Sequence, residues 1–230
     1  MHNFSIVIPL HNEEEHLMTS LSLLVSKLKE RNAREWEIIL VENGSTDGTW
    51  DKCREVQLSD SSHIKICRVS EASYGKALKE GIRRATKENI IIFNIDFWDV
   101  AFLEQSMDLK SDIVVGSKTL ISSRDLRPLH RRLTTYVFNS FLRVIYNFPG
   151  TDTHGIKKLR TLTVRPIALD CYPLHELYDT QIVLRACKKK LLYTELPVTV
   201  REMRPTRYQA SRRIFNVVHD LLVIFKYRYL

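Results

Sequence analysis

What this chain lacks narrows its function before any motif is read. Its four cysteines, Cys53, Cys67, Cys171 and Cys187, are scattered with no CxxC pair. Neither a disulfide framework nor a cysteine zinc site is expected, and the four read as ordinary buried thiols. No stretch approaches the roughly 20 apolar residues that cross a bilayer. The first residues, MHNFSIVIPLHNEEE, have neither the basic start nor the small-residue cleavage site of a secretory leader, so a cytoplasmic protein is expected. Internal repeats, low-complexity tracts and linkers are missing too, and 230 residues at 44% hydrophobic composition predict one globular unit with a sizeable core. The net charge of +8 comes without a nucleic-acid recognition motif and with carboxylates clustered in loops, which argues against a nucleic-acid binder. An anionic membrane surface or a polyphosphate ligand suits that charge.

What is present is an alternation of strand-like and helix-like stretches. FSIVIPL, residues 4–10, is a short β-branched run closed at Pro9 and fits a buried parallel strand. Leu17, Leu21, Leu24, Val25 and Leu28 follow at helical spacing, with acids in the first turn and bases in the last. A second strand over residues 36–41 runs into ENGSTDGT and a helix over WDKCREVQ. HIKICRVS, NIIIFNID and SDIVVGSK read as further strands and YGKALKEGIRRATK as a helix. Beyond them the chain turns irregular and basic, with a helix over residues 129–146, another over YDTQIVLRACKKK, a strand in LLYTELPVTV, and REMRPTRYQ leading into a terminal amphipathic helix. Such βαβ alternation predicts an α/β fold with a mostly parallel sheet that binds ligands at the carboxyl ends of its strands. LHNEEE, ENGSTDGT, SYGK and NIDFWD follow the first four strands, so all four polar clusters fall on that edge.

Eight stretches in order resemble a known family: VIPLHNEEEHL, IILVENGSTDGT, YGKALKEGIRRA, IIIFNIDFWD, DIVVGSK, LHRRLTTYVFNSFLRVI, GTDTHGIK and ELPVTVRE. They resemble the nucleotide-sugar glycosyltransferases of GT-A fold, in the inverting family 2. The likeness is nearest to the polyprenyl-phosphate branch, similar to dolichol-phosphate mannose synthase. The resemblance spans nearly the whole chain and implies a single Rossmann-like GT-A domain over residues 1–230. Residues 1–118 would form a nucleotide-sugar half, and residues 119–230 an acceptor half with the C-terminal helix. The implied reaction is inverting transfer of a hexose-type sugar from a GDP- or UDP-sugar to a dolichyl or undecaprenyl phosphate, with Mg²⁺ or Mn²⁺ as cofactor. A glycan hydroxyl acceptor, or a catalytically weak nucleotide-sugar binder, are the alternatives. Three positions depart from the family pattern. Glu42-Asn43 stands for two adjacent acids, Asn94-Ile95-Asp96 for Asp-x-Asp, and Trp98 for a glutamine that often binds metal.

The resemblance assigns roles residue by residue. Pro9, Asn12, Glu13 and Glu42 would contact the base and ribose, while Asn12 would equally serve as a cap for the first helix. Ser45 and Asp47 are expected to shape their loop. Gly75 and Lys76 open a helix and would face a phosphate or the nucleotide. Asp96 is the foremost catalytic and metal candidate, with Asn94 and Asp99 as further ligands. The bland reading of all three is a strand end that satisfies turn amides. Lys118 takes the place of a family arginine as a phosphate binder. Arg131 matches a basic position for the acceptor phosphate, with Thr135 a turn onward and Arg124, Arg127 and Arg132 beside it. Arg201, Arg204 and Arg207 would close over the diphosphate. Asp152 would orient the acceptor loop or pair with a nearby arginine, Asp152 or Asp99 would be the general base if the acceptor were a hydroxyl, and His154 reads as local structure. Phe215, Val218, Leu221, Leu222 and Phe225 give the last helix an apolar side among Arg212, Arg213, Lys226 and Arg228, suited either to anionic lipid at the inner membrane face or to the domain core.

Overall fold

The computed structural model describes residues 3–33, 35–172, 175–201 and 210–226. Its centre is four strands that form where the β-branched runs stand: β1 (Phe4–Leu10), β2 (Trp36–Asn43), β3 (Ile64–Val69) and β4 (Asn89–Ile92), paired in parallel in the order β3-β2-β1-β4. Alternation along each strand decides which layer a residue serves. On β1, Val7 faces one apolar layer while Phe4, Ile6, Ile8 and Leu10 face the other; on β2, Ile39 and Val41 oppose Trp36, Ile38 and Leu40. Both faces are therefore buried, which is why these strands read as continuous apolar runs.

Helices supply the two outer layers. α1 (Glu14–Glu30) buries Leu17, Leu21, Leu24 and Leu28 on one face, beside α2 (Thr49–Ser59) and α4 (Val100–Met107). α3 (Tyr74–Arg84), α6 (Thr161–Asp170) and α7 (Tyr178–Lys188) cover the opposite face. α3 lies directly against the sheet, since a Cβ on Gly81 would sit 2.3 Å from Val7 Cγ1.

The sheet continues as β4-β7-β5-β8, with β5 (Ile113–Ser117) parallel to β8 (Tyr193–Pro197) and β7 (Lys157–Arg160) antiparallel between β4 and β5. β7 has no counterpart in the sequence reading, because KKLR carries no apolar run. Its two lysines are buried only because each has partners. Lys157 Nζ meets Asp179 Oδ2 and the Gly155 carbonyl, both at 2.7 Å, and Lys158 Nζ donates to the carbonyls of Leu109 and Ser111 at 3.0 and 2.8 Å. A short second sheet pairs β6 (Arg124–Asp125) with β9 (Thr199–Val200), just before α5 (Leu129–Tyr146).

At the amino edge the buried Glu37 ties four segments together. It accepts from Ser5 Oγ at 2.6 Å and from the Thr86 amide and hydroxyl at 2.7 and 2.9 Å, and it pairs with Lys65 Nζ at 2.5 Å. Burial pushes the Glu37 pKa up, but Lys65, Ser5 and Thr86 outweigh burial and hold it below the ordinary carboxylate value.

The last helix, α8 (Ala210–Lys226), docks through Asp220, whose carboxylate accepts the amides of Glu176 and Leu177 at 2.7 and 3.0 Å. Ile224 is buried and Leu221 packs inward with it, whereas Phe215, Val218, Leu222 and Phe225 are exposed. One face of the helix thus packs on the domain core, and an apolar face is left exposed.

Candidate active site at the carboxyl edge

The loops after β1, β2 and β3 are fastened to one another by a few polar side chains. Asn43 ends β2, is nearly fully buried, donates from Nδ2 to the Leu10 carbonyl at 2.6 Å and accepts from the Ser73 amide at 3.0 Å. An aspartate cannot make the first of these bonds, so this departure from the paired acids has a structural reason. Asn12 adopts the left-handed backbone conformation, with φ of 55°. Its side chain does not cap α1; its Oδ1 accepts the Thr46 amide at 2.8 Å, and its own amide donates to Ser45 Oγ at 3.0 Å. The Glu13 amide donates to Thr49 Oγ1 at 2.7 Å. Gly44, at φ 64°, lets the second and third loops approach closely, for a Cβ there would lie 2.7 Å from the Ala72 nitrogen. Asp47 accepts the Thr49 amide at 3.0 Å and the Glu14 amide at 3.3 Å, as a loop-shaping residue should.

Glu42 is fully buried at this junction. Its Oε1 accepts the Ser45 amide at 2.5 Å; its Oε2 lies 2.6 Å from Arg68 Nε as an ion pair, but out of line for a hydrogen bond, and is left a buried acceptor without one. The Arg68 guanidinium in turn sits 5.5 Å from the Trp50 ring centroid. A buried carboxylate oxygen lacking a hydrogen bond at the carboxyl end of a strand suits a hydroxyl donor from a ligand. Pro9 is one position before the last residue of β1, on the same edge.

In the third loop Ser73 caps α3, accepting the Lys76 amide at 3.3 Å. Gly75 is buried in the first turn. Lys76 turns outward and its ammonium pairs with Glu71, so the expected phosphate-facing lysine is engaged at the surface.

The fourth loop carries the acid on which the sequence reading turns. Asn94 and Phe97 exchange both backbone hydrogen bonds, at 3.2 and 3.1 Å, closing a two-residue turn. Ile95 is 2% exposed, while Asn94 and Asp96 on either side of it are exposed. Asp99, foreseen as a replacement ligand, is instead the N-cap of α4: its Oδ1 accepts the Ala101 and Phe102 amides at 2.8 and 3.1 Å. Trp98 is no ligand either; its Nε1 donates to Ser20 Oγ at 2.8 Å. Among the described residues no group of three His, Cys, Asp or Glu side chains gathers as a cation site. A carboxylate and an amide oxygen on one exposed turn nevertheless form a hard, all-oxygen donor set. That set fits a Mg²⁺- or Mn²⁺-sized ion completed by ligand phosphates and water.

Past β5 the arrangement differs from the expectation. Lys118, foreseen as a phosphate binder, and Asp152, foreseen to orient the acceptor loop or pair with an arginine, form an ion pair at 2.7 Å, with the carboxylate fully buried and the lysine side chain 8% exposed. The Lys118 ammonium also donates to the His154 carbonyl, and Asp152 accepts the amides of Lys118 and His154 at 3.2 and 3.0 Å. Asn139 Nδ2 reaches Asp152 from α5 at 3.5 Å, and Glu195 accepts the amides of Thr151 and Asp152 at 2.8 and 2.9 Å. Burial opposes ionisation of Asp152, but Lys118 and the His154 amide hold its pKa below the ordinary value. Both residues therefore position the wall of the site.

That wall bounds a cleft of about 600 Å³ formed by the chain after β5 and the first turns of α5, with Ser123, Asp125, His130, Arg132, Leu133 and Tyr136 among its lining. Arg132 and His130 line it; Arg131 does not. Arg127 grips Asp125 with Nε and Nη2 at 2.8 and 2.7 Å and donates to Thr135 Oγ1 at 3.2 Å. Arg201 is exposed, and Arg204 and Arg207 lie outside the described residues. Asn43, Ser20 and Glu195, which tie these loops together, were not singled out as such by sequence reasoning; only Asn43 carried a signal, as a departure from the family pattern.

Residues 5–156 match the family model described as "Glycosyl transferase family 2". The chain belongs to that family. Among curated family 2 relatives, the dolichyl-phosphate beta-glucosyltransferase of Saccharomyces cerevisiae is 23% identical over 96% of this chain and 73% of its own length. The enzyme of that name from Dictyostelium discoideum is 25% identical over 98% and 74%. Solved structures with the same fold include S. aureus TarS residues 1–349 in complex with UDP-GlcNAc, at a TM-score of 0.61 and 18% identity over 96% of this chain. Another is the mannosyltransferase PcManGT from Pyrobaculum calidifontis in complex with GDP-Man and Mn²⁺, at 0.62 and 18% over 93%. The chain spans 66% and 60% of those two solved chains.

Proposed function

We propose that this family 2 glycosyltransferase moves a hexose from a nucleotide diphosphate to a polyprenyl phosphate, with inversion at the sugar carbon. The names of the curated relatives, which match across nearly the whole chain, support the lipid-phosphate acceptor and make glucose the first sugar to assay. One structural observation carries the choice of acceptor. Asp125, which lines the acceptor cleft, is engaged by Arg127, Asp152 behind its wall by Lys118, and the Asp99 carboxylate caps α4. An acceptor hydroxyl needs a general base, whereas a phosphate oxyanion attacks unaided near neutral pH.

In this reading the acceptor oxygen attacks the anomeric carbon, the bond to the donor diphosphate breaks, and the nucleoside diphosphate leaves. Glu42 Oε2 accepts a hydroxyl of the nucleoside, and Asn43 holds the three loops around it in register. Asp96 and Asn94 would hold a divalent cation, which when bound neutralises the diphosphate as it departs. Arg132 and His130 attract the acceptor phosphate into the cleft, whose wall is kept in place by Lys118 and Asp152.

The same reading includes peripheral membrane contact. Among the described residues no helix is long and apolar enough to cross a membrane. α5 and α8, however, expose Leu133, Val137, Val144, Phe215 and Leu222, and neither helix contains an acid other than the buried Asp220. Apolar faces flanked only by bases suit an anionic lipid surface.

The test is incubation of the purified chain with labelled UDP- and GDP-hexoses, Mn²⁺, and dolichyl or undecaprenyl phosphate. A labelled organic-soluble product is expected. Transfer confined to glycan hydroxyl acceptors would overturn the reading.

A further inference from the structure

Ser20 and Trp98 stand apart from the donor loops, yet both reach the turn that presents Asn94 and Asp96. Trp98 Nε1 donates to Ser20 Oγ at 2.8 Å, and the Ser20 hydroxyl donates to the Ile95 carbonyl. Ile95 is the residue between the two candidate ligands, and its own side chain is buried in the layer shared with α1. The backbone and the side chain of the central residue are thus both anchored, in a turn closed by the Asn94–Phe97 pair. The anchor comes from α1, the helix whose amino end continues the Asn12–Glu13 loop.

We propose that Ser20 and Trp98 are positioning residues that hold the Asn94–Asp96 turn in the geometry that admits a divalent cation together with the donor diphosphate. The proposal rests on the donor-binding reading above. A two-residue turn released from its anchor samples other backbone conformations, and a cation must then order it on binding, which weakens the observed affinity. Trp98 replaces a family side chain that adds a ligand; here the indole reaches back into the protein and stiffens the turn instead.

The experiment measures Mn²⁺ binding directly, from the paramagnetic resonance of free Mn²⁺, with the full chain and saturating UDP or GDP. Nucleotide binding without metal is measured in parallel by calorimetry. Ser20→Ala removes the relay and is expected to weaken Mn²⁺ binding about tenfold, as for other outer-shell partners of metal ligands. Trp98→Phe keeps the ring and loses one N–H donor, with an expected loss of about fivefold. Ser20→Thr, which retains the hydroxyl, restores the affinity. Metal-free nucleotide binding stays at the parental level in all three. Unchanged Mn²⁺ affinity in Ser20→Ala and Trp98→Phe overturns the proposal, as does an equal loss of metal-free nucleotide binding. If Ser20→Ala fails to fold, Trp98→Phe alone decides by the same criteria. A parental chain that binds nucleotide but no Mn²⁺ overturns the positioning role alone; one that binds neither overturns the donor reading with it.

Discussion

Replacing Asn43 by aspartate would restore the paired acids of the family pattern, yet the structure predicts that it destabilises this chain. The side-chain amide donates to the Leu10 carbonyl at 2.6 Å and accepts from the Ser73 amide at 3.0 Å, at a site 5% exposed. In Asn43→Asp the second bond survives and gains a charge. The first becomes a carboxylate oxygen against a carbonyl oxygen, with two buried acceptors and no proton. A buried polar group stripped of its partner costs about 1–3 kcal/mol, and the strengthened Ser73 bond offsets part of that, leaving about 2 kcal/mol. For a chain of this length that corresponds to a melting temperature lower by about 4–8 °C. Protonation would supply the missing donor, so the folded-state pKa of the new aspartate should lie above its unfolded value of about 3.9. A group of that kind contributes stability at low pH that disappears as pH rises through the folded value. The variant should therefore match the parent near pH 4 and fall behind it by pH 7. Differential scanning calorimetry of both proteins across that range tests this, and a variant at least as stable as the parent at pH 7 would refute the reasoning.

Three further outcomes follow from the same geometry. Asp96→Ala should reduce transfer about a hundredfold or more, while its unfolding free energy stays within about 0.5 kcal/mol of the parent because the side chain is exposed; full activity in a labelled-donor assay would move the reaction elsewhere. Glu37 has a depressed pKa, so it stabilises the fold above the unfolded glutamate value of about 4.3 and loses that contribution as pH falls through the lower folded value. Glu37→Gln should consequently flatten the acid limb of the stability profile in urea titrations between pH 6 and 3. Lys118→Met leaves the Asp152 carboxylate buried without its counter-ion and should cost about 3–5 kcal/mol; adding Asp152→Asn should recover part of it, which a double-mutant cycle measures.

The sequence showed most of what is periodic and little of what is networked. β1, β2 and α1 were legible because both sheet faces are buried and the leucines of α1 repeat at helical spacing. β7 was not, because its lysines reach partners far along the chain. α4 is short, with its stripe compressed into eight residues, and α6 contains Pro166, so neither displayed a clean helical pattern. At the site, the sheet edge where the polar loops gather was evident. The divisions of labour were hidden: Asp99 looks like a ligand until two amides of α4 are found on it, and Lys118 looks like a phosphate binder until Asp152 is found beneath it. Those pairings join residues tens of positions apart or depend on a helix start, and no local pattern records them.

The antiparallel strand β7 has a consequence for the order in which this protein can assemble. β4 and β5 are not hydrogen-bonded to each other; each meets only β7 on the side between them. The family match stops at residue 156, one position before that strand begins. During synthesis β1–β4 therefore emerge able to pair with one another, while β5, whose partners are β7 and β8, emerges with none, and the facing edges of β4 and β5 stay open until residues 157–160 leave the ribosome. Exposed edges of this kind invite pairing with other chains. Nascent chains stalled before residue 157 should thus be the most prone to aggregate and the most dependent on chaperones, and chains stalled once residues 157–160 are free to insert should be protected.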